Sequence, residues 1–269
     1  MNKFKVSENG LGADFYCEES DLPKKAIIML GGSEGGKTWS RIRRPLSLMV
    51  QQGYALLSLA YFKAPGLPAS LEQIPLEYFE KAFAWLSAQP QIVPGDYAIL
   101  GASKGAEAAL LLATKSPQVK AVVALTPTSV VWQGIPKKRF DIVKAPKSSW
   151  SYQGKDLPFL PYPESIKKIA NLLTLRFRAA HEEALRNVTR AKEAAIPVED
   201  SSAAMLLISA KRDRMWPSTI MAEKITARLA RKGYSAYFRH IPFDTSHNGL
   251  ILKKDCWRAI FAFLKEQFV

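Results

Sequence analysis

Short apolar runs alternate with helix-length amphipathic segments over most of the 269 residues, and this alternation constrains the fold more than any other feature. A continuous apolar run is typical of a strand buried on both faces, and a helix between two such strands makes them parallel. The predicted strands are 26–30, 54–59, 97–100, 121–125, 204–209 and 235–241. The predicted helices are 39–52, 71–89, 104–115, 218–232 and 255–268. The sequence therefore predicts an α/β fold with a mostly parallel sheet covered by helices, and one or two antiparallel edge strands before residue 20.

The regular alternation lapses between residue 126 and about residue 200. This segment contains several prolines and tryptophans, mixed charge and a helix-like stretch at 166–195. A long insertion inside a compact α/β domain is usually functional, for example as a lid or a substrate-binding cap. We therefore expect a cap at about 126–200. We expect it to lie within one domain that spans residues 1–269, because an α/β sheet protein of this size is usually a single domain.

The pentapeptide GASKG at 101–105 is the sharpest local signal, because it lies between a predicted strand and a predicted helix. A G-x-S-x-G sequence in this position is typical of the strand-to-helix turn that exposes a nucleophilic serine, here Ser103, in an α/β hydrolase. The N-terminus of the following helix favours developing negative charge. The alternative interpretation is a glycine-containing turn in which the serine has no chemical role.

A serine hydroxyl is a poor nucleophile without a base, and the chain contains only three histidines. His247 follows the last predicted strand and precedes the closing helix, where an α/β hydrolase carries its catalytic histidine. His240 falls within the predicted strand itself, where a structural role is expected. His181 falls within the cap, where surface exposure or cap packing is expected. The sequence therefore predicts His247 as the general base.

The acid of such a site is expected after the preceding strand, in the order serine, acid, histidine. Asp213 is the only carboxylate in the run SAKRDRMWPS, which follows the predicted strand 204–209. Its expected role is to hold the imidazole tautomer and to stabilise the imidazolium. Two alternatives stay open. In the first, Asp213 forms surface ion pairs with its arginine neighbours and has no catalytic role. In the second, Asp244 is the acid, although its position three residues before His247 is poor for orienting the ring.

The oxyanion of a tetrahedral intermediate needs two backbone N–H donors. One is expected from Lys104, which follows the serine. The other is expected from the glycine-rich loop GGSEGG, with Gly32, Ser33 and Glu34 as candidates. Glycine lets this backbone approach a substrate closely. The loop lacks the G-x-x-x-x-G-K-[ST] spacing of a nucleotide-binding loop. The mechanism needs no metal and no cofactor, and no ligand cluster in the sequence suggests one.

The formal net charge of +14 is the unusual global property of the chain. It favours anionic partners such as nucleic acid, anionic membranes or phosphate-bearing substrates. The basic residues are scattered, however, so the simpler interpretation is a solvated basic surface. No nucleic-acid-binding motif is visible, and no apolar run reaches the roughly 18 residues that span a bilayer. Neither nucleic-acid binding nor stable membrane insertion is therefore expected.

Cysteine usage and the N-terminus predict the compartment. The only cysteines, Cys17 and Cys256, lie far apart and give neither a disulfide framework nor metal-ligand spacing. The first fifteen residues contain no apolar h-region, so no signal peptide is visible. A reducing cytoplasm is the expected location.

Several longer stretches resemble one known family. They are LSLAYFKAPGLPASLEQIPLEYFEKAFAWL around residues 58–87, LGASKGAEAALLLA, VKAVVALTPTSVVWQG, IPVED and the run ending in Asp213 and Trp216. The chain resembles the C-terminal catalytic domain of the acyl-CoA thioesterase and bile acid-CoA:amino acid N-acyltransferase family, which is similar to dienelactone hydrolases. The resemblance covers most of the chain from about residue 26. It implies a nucleophile at Ser103, an acid at Asp213 and a histidine at His247.

Two departures from the family pattern bear on the substrate. Animal members carry an additional N-terminal β-sandwich domain, which this chain is too short to contain. The histidine loop DTSHNGL also lacks the proline-rich continuation of the family. Family members that act as N-acyltransferases use cysteine as nucleophile, so the serine of this chain implies water as the acceptor.

The expected function is hydrolysis of an acyl thioester or a related ester, with a small-molecule substrate and a covalent acyl-enzyme. A carboxylesterase of the dienelactone-hydrolase kind and an acyl-CoA:amino acid acyltransferase are the alternatives. The aromatic residues of the cap region either line an acyl pocket or form the cap core. They are Trp132, Trp150, Tyr152, Phe159 and Tyr162.

Overall fold

The computed structural model describes residues 1–20, 22–138, 141–142, 144–167 and 176–268. The strands are β1 (Asn2–Val6), β2 (Gly12–Cys17), β3 (Lys24–Leu30), β4 (Ala55–Ala60), β5 (Ile74–Pro75), β6 (Ile92–Ala102), β7 (Val119–Leu125), β8 (Trp150–Tyr152), β9 (Lys155–Asp156), β10 (Ala204–Ala210) and β11 (Phe238–Phe243). Eight of them form the central sheet, in the order β1-β2-β4-β3-β6-β7-β10-β11. Every pair from β4 to β11 is parallel, and β1 and β2 are antiparallel at one edge. The predicted mostly parallel sheet is confirmed.

Helices cover both faces of this sheet. The described helices are α1 (Arg43–Gln51), α2 (Glu77–Ser87), α3 (Lys104–Lys115), α4 (Arg178–Leu185), α5 (Val188–Glu193), α6 (Ser218–Arg231) and α7 (Lys254–Gln267). Of these, α4 and α5 belong to the insertion before β10, and the other five pack on the sheet. Successive residues of a strand point to opposite faces, and β3 shows the consequence. Ile28 packs in the cluster that contains the buried faces of α2, α3 and α6, whereas Ile27 packs in the cluster that contains those of α1 and α7. Both faces of the sheet are therefore buried, as parallel sheets require.

The predicted cap lies between β7 and β10. It contains β8, β9, α4 and α5, and it has an aromatic cluster of its own around Trp132 and Tyr162. The cap also joins the segment before α2, because β8 pairs in parallel with β5 and Leu71 bridges Ile135. The insertion is thus attached to the main fold by backbone hydrogen bonds.

Two predicted helices are shorter than expected, and each difference has a local physical reason. The predicted helix 71–89 begins only at Glu77, because residues 71–76 contain a bend and the short strand β5 and bond the cap: the Ile74 N–H donates to the Ser149 carbonyl at 2.9 Å. The predicted helix 39–52 divides into a 3-10 turn and α1. Pro45 lies in the first turn of α1, which is the part of a helix that tolerates a residue without an N–H.

Two further predictions are corrected nearer the C-terminus. The helix-like stretch predicted at 166–195 is interrupted, with α4 and α5 as separate short helices. Its residues 168–175 lie outside the described residues. The last strand begins three residues later than predicted, at Phe238, and runs to Phe243. It lies at the sheet edge, where Pro242 is tolerated because an edge strand has unpaired backbone positions.

Helix length and hydropathy bear on membrane insertion. Among the described residues, no helix has both the length and the apolar character needed to cross a bilayer.

Candidate active site

Ser103 lies at the turn between β6 and α3, and its backbone is strained. Its φ of 55° and ψ of −118° fall in a region that non-glycine residues rarely adopt. The two glycines of the motif permit this turn. A Cβ on Gly101 would overlap the Gly105 carbonyl group, and a Cβ on Gly105 would overlap the Leu30 carbonyl group of β3. The sequence GASKG therefore allows α3 to start directly against the sheet with the serine at its N-terminus.

His247 and Asp213 are hydrogen-bonded to each other. His247 Nδ1 lies 2.8 Å from Asp213 Oδ2, and both side chains are nearly or fully buried. The second carboxylate oxygen, Oδ1, accepts the backbone N–H groups of Met215 at 2.9 Å and Trp216 at 3.2 Å. With Oδ2 fixed on Nδ1, the imidazole presents Nε2 as its reactive nitrogen.

The loops that carry these two residues follow the adjacent parallel strands β10 and β11. They are joined by a hydrogen bond from the Arg212 N–H to the Thr245 carbonyl at 3.0 Å. Asp244 is not part of this pair, because it is exposed and forms a 2.8 Å ion pair with Arg212. The structure thus brings Asp213, rather than Asp244, to the ring of His247.

Ser103 and His247 line the same cavity, which has a volume of about 580 Å³. This volume is in the range of small-molecule sites. Much of the cavity wall is apolar and comes from Ile42, Ile135, Ile142, Ile166, Phe177 and Met215. Among the described residues, no hydrogen bond joins the Ser103 hydroxyl to the His247 ring. Catalytic hydrogen bonds are often long before substrate binds, so this geometry does not exclude the pair.

The glycine-rich loop after β3 lies against the nucleophile. A Cβ on Gly32 would lie 3.1 Å from the Ser103 Cβ, which shows how closely the backbone approaches. The Gly32 N–H donates to Glu34 Oε1 at 2.9 Å, so this amide already has an acceptor. Gly32, Ser33, Glu34 and Lys104 all line the cavity, as expected of oxyanion-binding candidates.

The Lys104 side chain forms a buried ion pair that sequence reasoning missed. Its Nζ lies 2.9 Å from Glu107 Oε2 and donates to Ser149 Oγ at 2.6 Å. Glu107 Oε1 accepts the Trp132 N–H at 2.9 Å and the Trp150 indole N–H at 2.8 Å. Burial lowers the pKa of Lys104 and raises the pKa of Glu107, while their mutual attraction opposes both shifts. The sequence signal that could have indicated this ion pair is the presence of two charged residues, three positions apart, in the largely apolar helix α3.

The two remaining histidines differ in location. His240 lies on β11, accepts or donates a hydrogen bond with Ser209 Oγ at 2.7 Å, and keeps the expected structural role. His181 is only 6% exposed, packs against the cap rings of Trp132 and Tyr162 and lines the cavity, so of the two expected positions surface exposure is wrong and cap packing is confirmed. Its ring lies 4.6 Å from Trp132 and 6.0 Å from Trp216, and Trp216 in turn lies 5.8 Å from His247.

Most of the aromatic residues of the cap region are part of the hydrophobic core and do not line the cavity. Trp132 and Trp150 are fully buried, and Trp150 packs 5.5 Å from Tyr61 in the main core. Tyr152 and Phe159 pack against that same core as partly buried side chains. Tyr162 is the member of the predicted set that lines the cavity.

Within the described residues, no group of three or more His, Cys, Asp or Glu side chains is placed to hold a metal ion.

Comparison with known proteins places this site in a family context. A family model described as BAAT / Acyl-CoA thioester hydrolase C terminal matches residues 74–248. The chain is 28% identical over 233 residues to acyl-coenzyme A thioesterase 2, mitochondrial, of Mus musculus, which covers 87% of the chain and 47% of that protein. It is 29% identical over 241 residues to acyl-coenzyme A amino acid N-acyltransferase 2 of Mus musculus, which covers 88% of the chain and 51% of that protein. The chain spans about half the length of the curated relatives it matches.

Solved structures share the architecture over nearly the whole chain. The alpha/beta hydrolase GrgF from Penicillium sp. superposes with a TM-score of 0.62 at 16% identity, covering 99% of this chain and 97% of that one. A dienelactone hydrolase from Klebsiella pneumoniae, described as putative, gives a TM-score of 0.61 at 14% identity, with the same coverage of both chains. At these identities the likeness shows the fold alone, and it confirms the predicted α/β-hydrolase fold.

Proposed function

The chain belongs to the BAAT / acyl-CoA thioester hydrolase C-terminal family, and from that premise we propose that it is a serine hydrolase of acyl thioesters. In this proposal Ser103 is the nucleophile, His247 the general base and Asp213 the orienting acid. The observation that carries the proposal is the strained Ser103 at the start of α3, which faces the same cavity as a histidine bonded to a buried aspartate. The resemblance of the sequence to acyl-CoA thioesterases supports the thioester as substrate.

The first half-reaction forms an acyl-enzyme. Ser103 Oγ attacks the carbonyl carbon of the thioester while its proton passes to His247 Nε2. The oxyanion accepts hydrogen bonds from the Lys104 N–H and from one amide of the loop 31–36. Lys104 is the first residue of α3, so its N–H has no partner within the helix. The imidazolium then protonates the departing sulfur, and the carbon–sulfur bond breaks.

The second half-reaction releases the acid. Water enters the cavity and attacks the acyl-enzyme carbonyl while His247 Nε2 takes its proton. The same N–H donors bind the second oxyanion. Collapse of this intermediate breaks the bond to Ser103 Oγ, which recovers its proton from the imidazolium. Asp213 keeps Nδ1 protonated in both halves and stabilises the imidazolium, without itself becoming protonated.

The same residues would also hydrolyse an oxygen ester, because only the leaving atom differs. An amine acceptor would turn the second half-reaction into acyl transfer, and the similarity to an amino acid N-acyltransferase makes this the other candidate. With serine as nucleophile, water remains the acceptor that we propose. Neither nucleic acid nor a membrane is a partner in this proposal.

Substrate panels test the proposal directly. Acyl-CoA thioesters and p-nitrophenyl esters of graded length are assayed with the wild-type chain and with Ser103→Ala, in the presence and absence of glycine. We expect thioester hydrolysis in the wild type and a loss of at least about a thousandfold in the variant, since the covalent route is removed. Activity confined to oxygen esters would indicate a carboxylesterase, and an acylated glycine product would indicate a transferase.

A matched serine provides the control. Ser235 is exposed and lies before β11, outside the cavity lining, so Ser235→Ala should retain wild-type rates. A fluorophosphonate probe should add its mass to the peptide that contains Ser103 and to no peptide of the Ser103→Ala chain. Equal labelling or equal turnover in Ser103→Ala would overturn the assignment of the nucleophile.

We also propose the cytoplasm as the working compartment. Cys17 and Cys256 are both free and buried, which suits a reducing environment. Fractionation of cells that produce the full natural protein tests this, and recovery of that protein in another compartment would contradict it.

A further inference from the structure

His181 is a buried titratable side chain that the proposed mechanism does not use. It lines the cavity from α4, on the cap side, while Ser103 enters from the sheet. Three aromatic rings surround it at centroid distances of 4.6 Å (Trp132), 5.3 Å (Tyr162) and 6.0 Å (Trp216). All three contacts are close to edge-to-face, so the position of the imidazole in the cavity wall is fixed.

The hydrogen bonding of the ring determines its tautomer. His181 Nδ1 lies 2.9 Å from the Phe177 carbonyl oxygen, one turn earlier in the chain. A carbonyl oxygen can only accept, so Nδ1 carries the hydrogen and Nε2 carries the lone pair. Within the part of the chain that the structure describes, Nε2 has no hydrogen-bond partner. Because Nδ1 is bonded to the backbone, Nε2 is the ring nitrogen that can accept a hydrogen bond from a ligand in the cavity that His181 lines.

The ring remains in this neutral form at physiological pH. Burial lowers the pKa of His181 to about 4, and Lys104 and His247 act in the same direction, against the Phe177 carbonyl and Asp213. The cavity thus contains a fixed hydrogen-bond acceptor among apolar side chains such as Ile142, Ile166 and Phe177. A purely aliphatic acyl chain would leave this acceptor unpaired and remove it from water, which is unfavourable.

We propose that the pocket selects acyl groups that carry a hydroxyl on the chain, and that this hydroxyl donates a hydrogen bond to His181 Nε2. This inference rests on the proposed hydrolase function. His181 is a specificity residue in it and takes no part in the proton transfers at His247. The acyl group extends from Ser103 toward the cap, with its aliphatic part against the isoleucines and its hydroxyl at the imidazole.

Matched substrates test the inference. A medium-chain acyl thioester of N-acetylcysteamine is compared with the same thioester hydroxylated at each chain carbon in turn. For at least one position we expect kcat/KM to rise about 3- to 10-fold over the plain chain, as one net hydrogen bond to a neutral acceptor allows. In His181→Phe, which keeps an aromatic ring but has no acceptor, that ratio should fall to about one or below. Tyr162→Phe, which removes the neighbouring hydroxyl group and keeps its ring, should preserve the gain.

The possible failures are distinguishable. If no thioester is hydrolysed faster than by Ser103→Ala, the proposed function is wrong. If plain chains are hydrolysed and no hydroxyl position gives a gain, or if His181→Phe keeps the gain, the inference is overturned while the hydrolase assignment stands. If Tyr162→Phe loses the gain and His181→Phe keeps it, the acceptor is Tyr162 and the inference is wrong.

A second measurement does not depend on a folded His181 variant. The ¹⁵N resonance of His181 Nε2 is followed in Ser103→Ala as a non-hydrolysable acyl amide is added. An acceptor nitrogen that gains a hydrogen bond shifts upfield, so the hydroxylated amide should move this resonance and the plain amide should not. Saturation by the hydroxylated amide without any selective shift would overturn the inference.

Discussion

The two carboxylate oxygens of Asp213 have different partners, so replacing this residue with asparagine tests its role. Oδ2 holds the His247 ring, and Oδ1 accepts the N–H groups of Met215 and Trp216. Asparagine has one oxygen and one NH₂ group. Two fixed N–H donors on one side require the oxygen there, so the NH₂ group must face His247.

We therefore expect Asp213→Asn to fold and to lose most of its activity. An NH₂ group next to Nδ1 forces the hydrogen onto Nε2, so the imidazole cannot take the proton of Ser103. The expected fall in kcat is on the order of 10³- to 10⁴-fold, as for the same change in other triads. Steady-state thioester hydrolysis measures it.

The control is Asp244→Asn, the same change on the neighbouring loop. Its carboxylate is exposed and pairs with Arg212, so kcat should stay within about twofold of wild type, as for most exposed ion pairs. A large loss of kcat in Asp244→Asn with a small loss in Asp213→Asn would show that Asp244, rather than Asp213, is the orienting acid.

At the scale of elements, the Lys104–Glu107 pair joins the nucleophile helix to the cap. Lys104 is the first residue of α3, and its ammonium contacts Ser149, just before β8. Glu107 holds Trp132 and Trp150. The helix that positions Ser103 and the segment that covers the pocket are therefore parts of one buried hydrogen-bond network.

Removing one charge of this pair should be worse than removing both. Lys104→Met leaves the Glu107 carboxylate buried without its partner, and we expect a loss of about 3 kcal/mol or more in the free energy of unfolding. In Lys104→Met/Glu107→Gln, the glutamine oxygen still accepts from Trp132 and Trp150 and no charge is buried. Denaturant unfolding should show the double variant recovering at least about half of the loss.

Glu107→Gln alone completes the cycle. If the losses in Lys104→Met and Glu107→Gln add up to the loss in the double variant, the pair does not interact energetically. Glu80→Gln, on the exposed side of α2, serves as the control for a change of charge on a helix. It should change the free energy of unfolding by less than about 0.5 kcal/mol.

Helix α4 gives the cap a predicted dependence of stability on pH. The pKa of His181 is about 4 in the folded chain and 6.5 in its ordinary state. Between these pH values the unfolded chain binds a proton that the folded chain does not, so the free energy of unfolding falls as pH falls. Nothing is lost above pH 6.5, and the full loss of about 3 kcal/mol is reached below pH 4.

The difference in unfolding free energy between wild type and His181→Phe isolates this contribution. As pH falls from 6.5 to 4, the free energy of unfolding of wild type should fall relative to that of His181→Phe. Tyr162→Phe, beside the same ring, should follow the wild-type pH dependence. A difference that stays constant with pH would show that His181 is as easily protonated in the folded chain as in the unfolded one.

The same elements show what the sequence predicts well. The predicted helix 104–115 agrees with α3 residue for residue, because its alanines and leucines follow a turn that the glycines require. The order of serine, aspartate and histidine along the chain also places them after the parallel strands β6, β10 and β11 of one sheet. Both patterns are local, or follow from the handedness and order of the fold.

What the sequence predicts poorly depends on distant partners. Residues 71–76 belong to a stretch with helical apolar spacing, yet they are not helical, because Ile135 and Ser149 offer backbone hydrogen bonds from the cap. His181 is buried by three aromatic rings, two of them from other parts of the insertion and one from the acid loop. Neither arrangement is encoded near the residues concerned.

For the whole molecule, we propose that residues 1–269 form one domain, because the insertion is bound to the main fold by the pairing of β5 with β8 and by the Lys104–Glu107 network. The unfolding curves described above should then show one transition for wild type by every probe. A separate early transition of the cap tryptophans would indicate two units.

We propose that part of the net charge of +14 acts at the mouth of the cavity. Exposed arginines flank cavity-lining residues on three different segments: Arg41 precedes Ile42, Arg176 precedes Phe177, and Arg214 precedes Met215. The leaving group of an acyl-CoA carries phosphates, whereas that of an N-acetylcysteamine thioester carries no charge. A positive surface at the mouth accelerates encounter with the charged substrate alone, and salt weakens this effect.

We therefore expect kcat/KM for an acyl-CoA to fall about 3- to 10-fold as salt rises from about 25 mM to about 300 mM. For the N-acetylcysteamine thioester of the same acyl group, the change should stay below about 1.5-fold. Arg41→Glu/Arg214→Glu should lower the CoA rate at low salt and flatten its salt dependence. Lys232→Glu is the control, because Lys232 is exposed at the far end of α6, about 20 Å along the helix from the acid loop. If both thioesters respond alike to salt, or if Lys232→Glu acts as strongly as the arginine changes, the charge is a general property of the surface and does not guide the substrate.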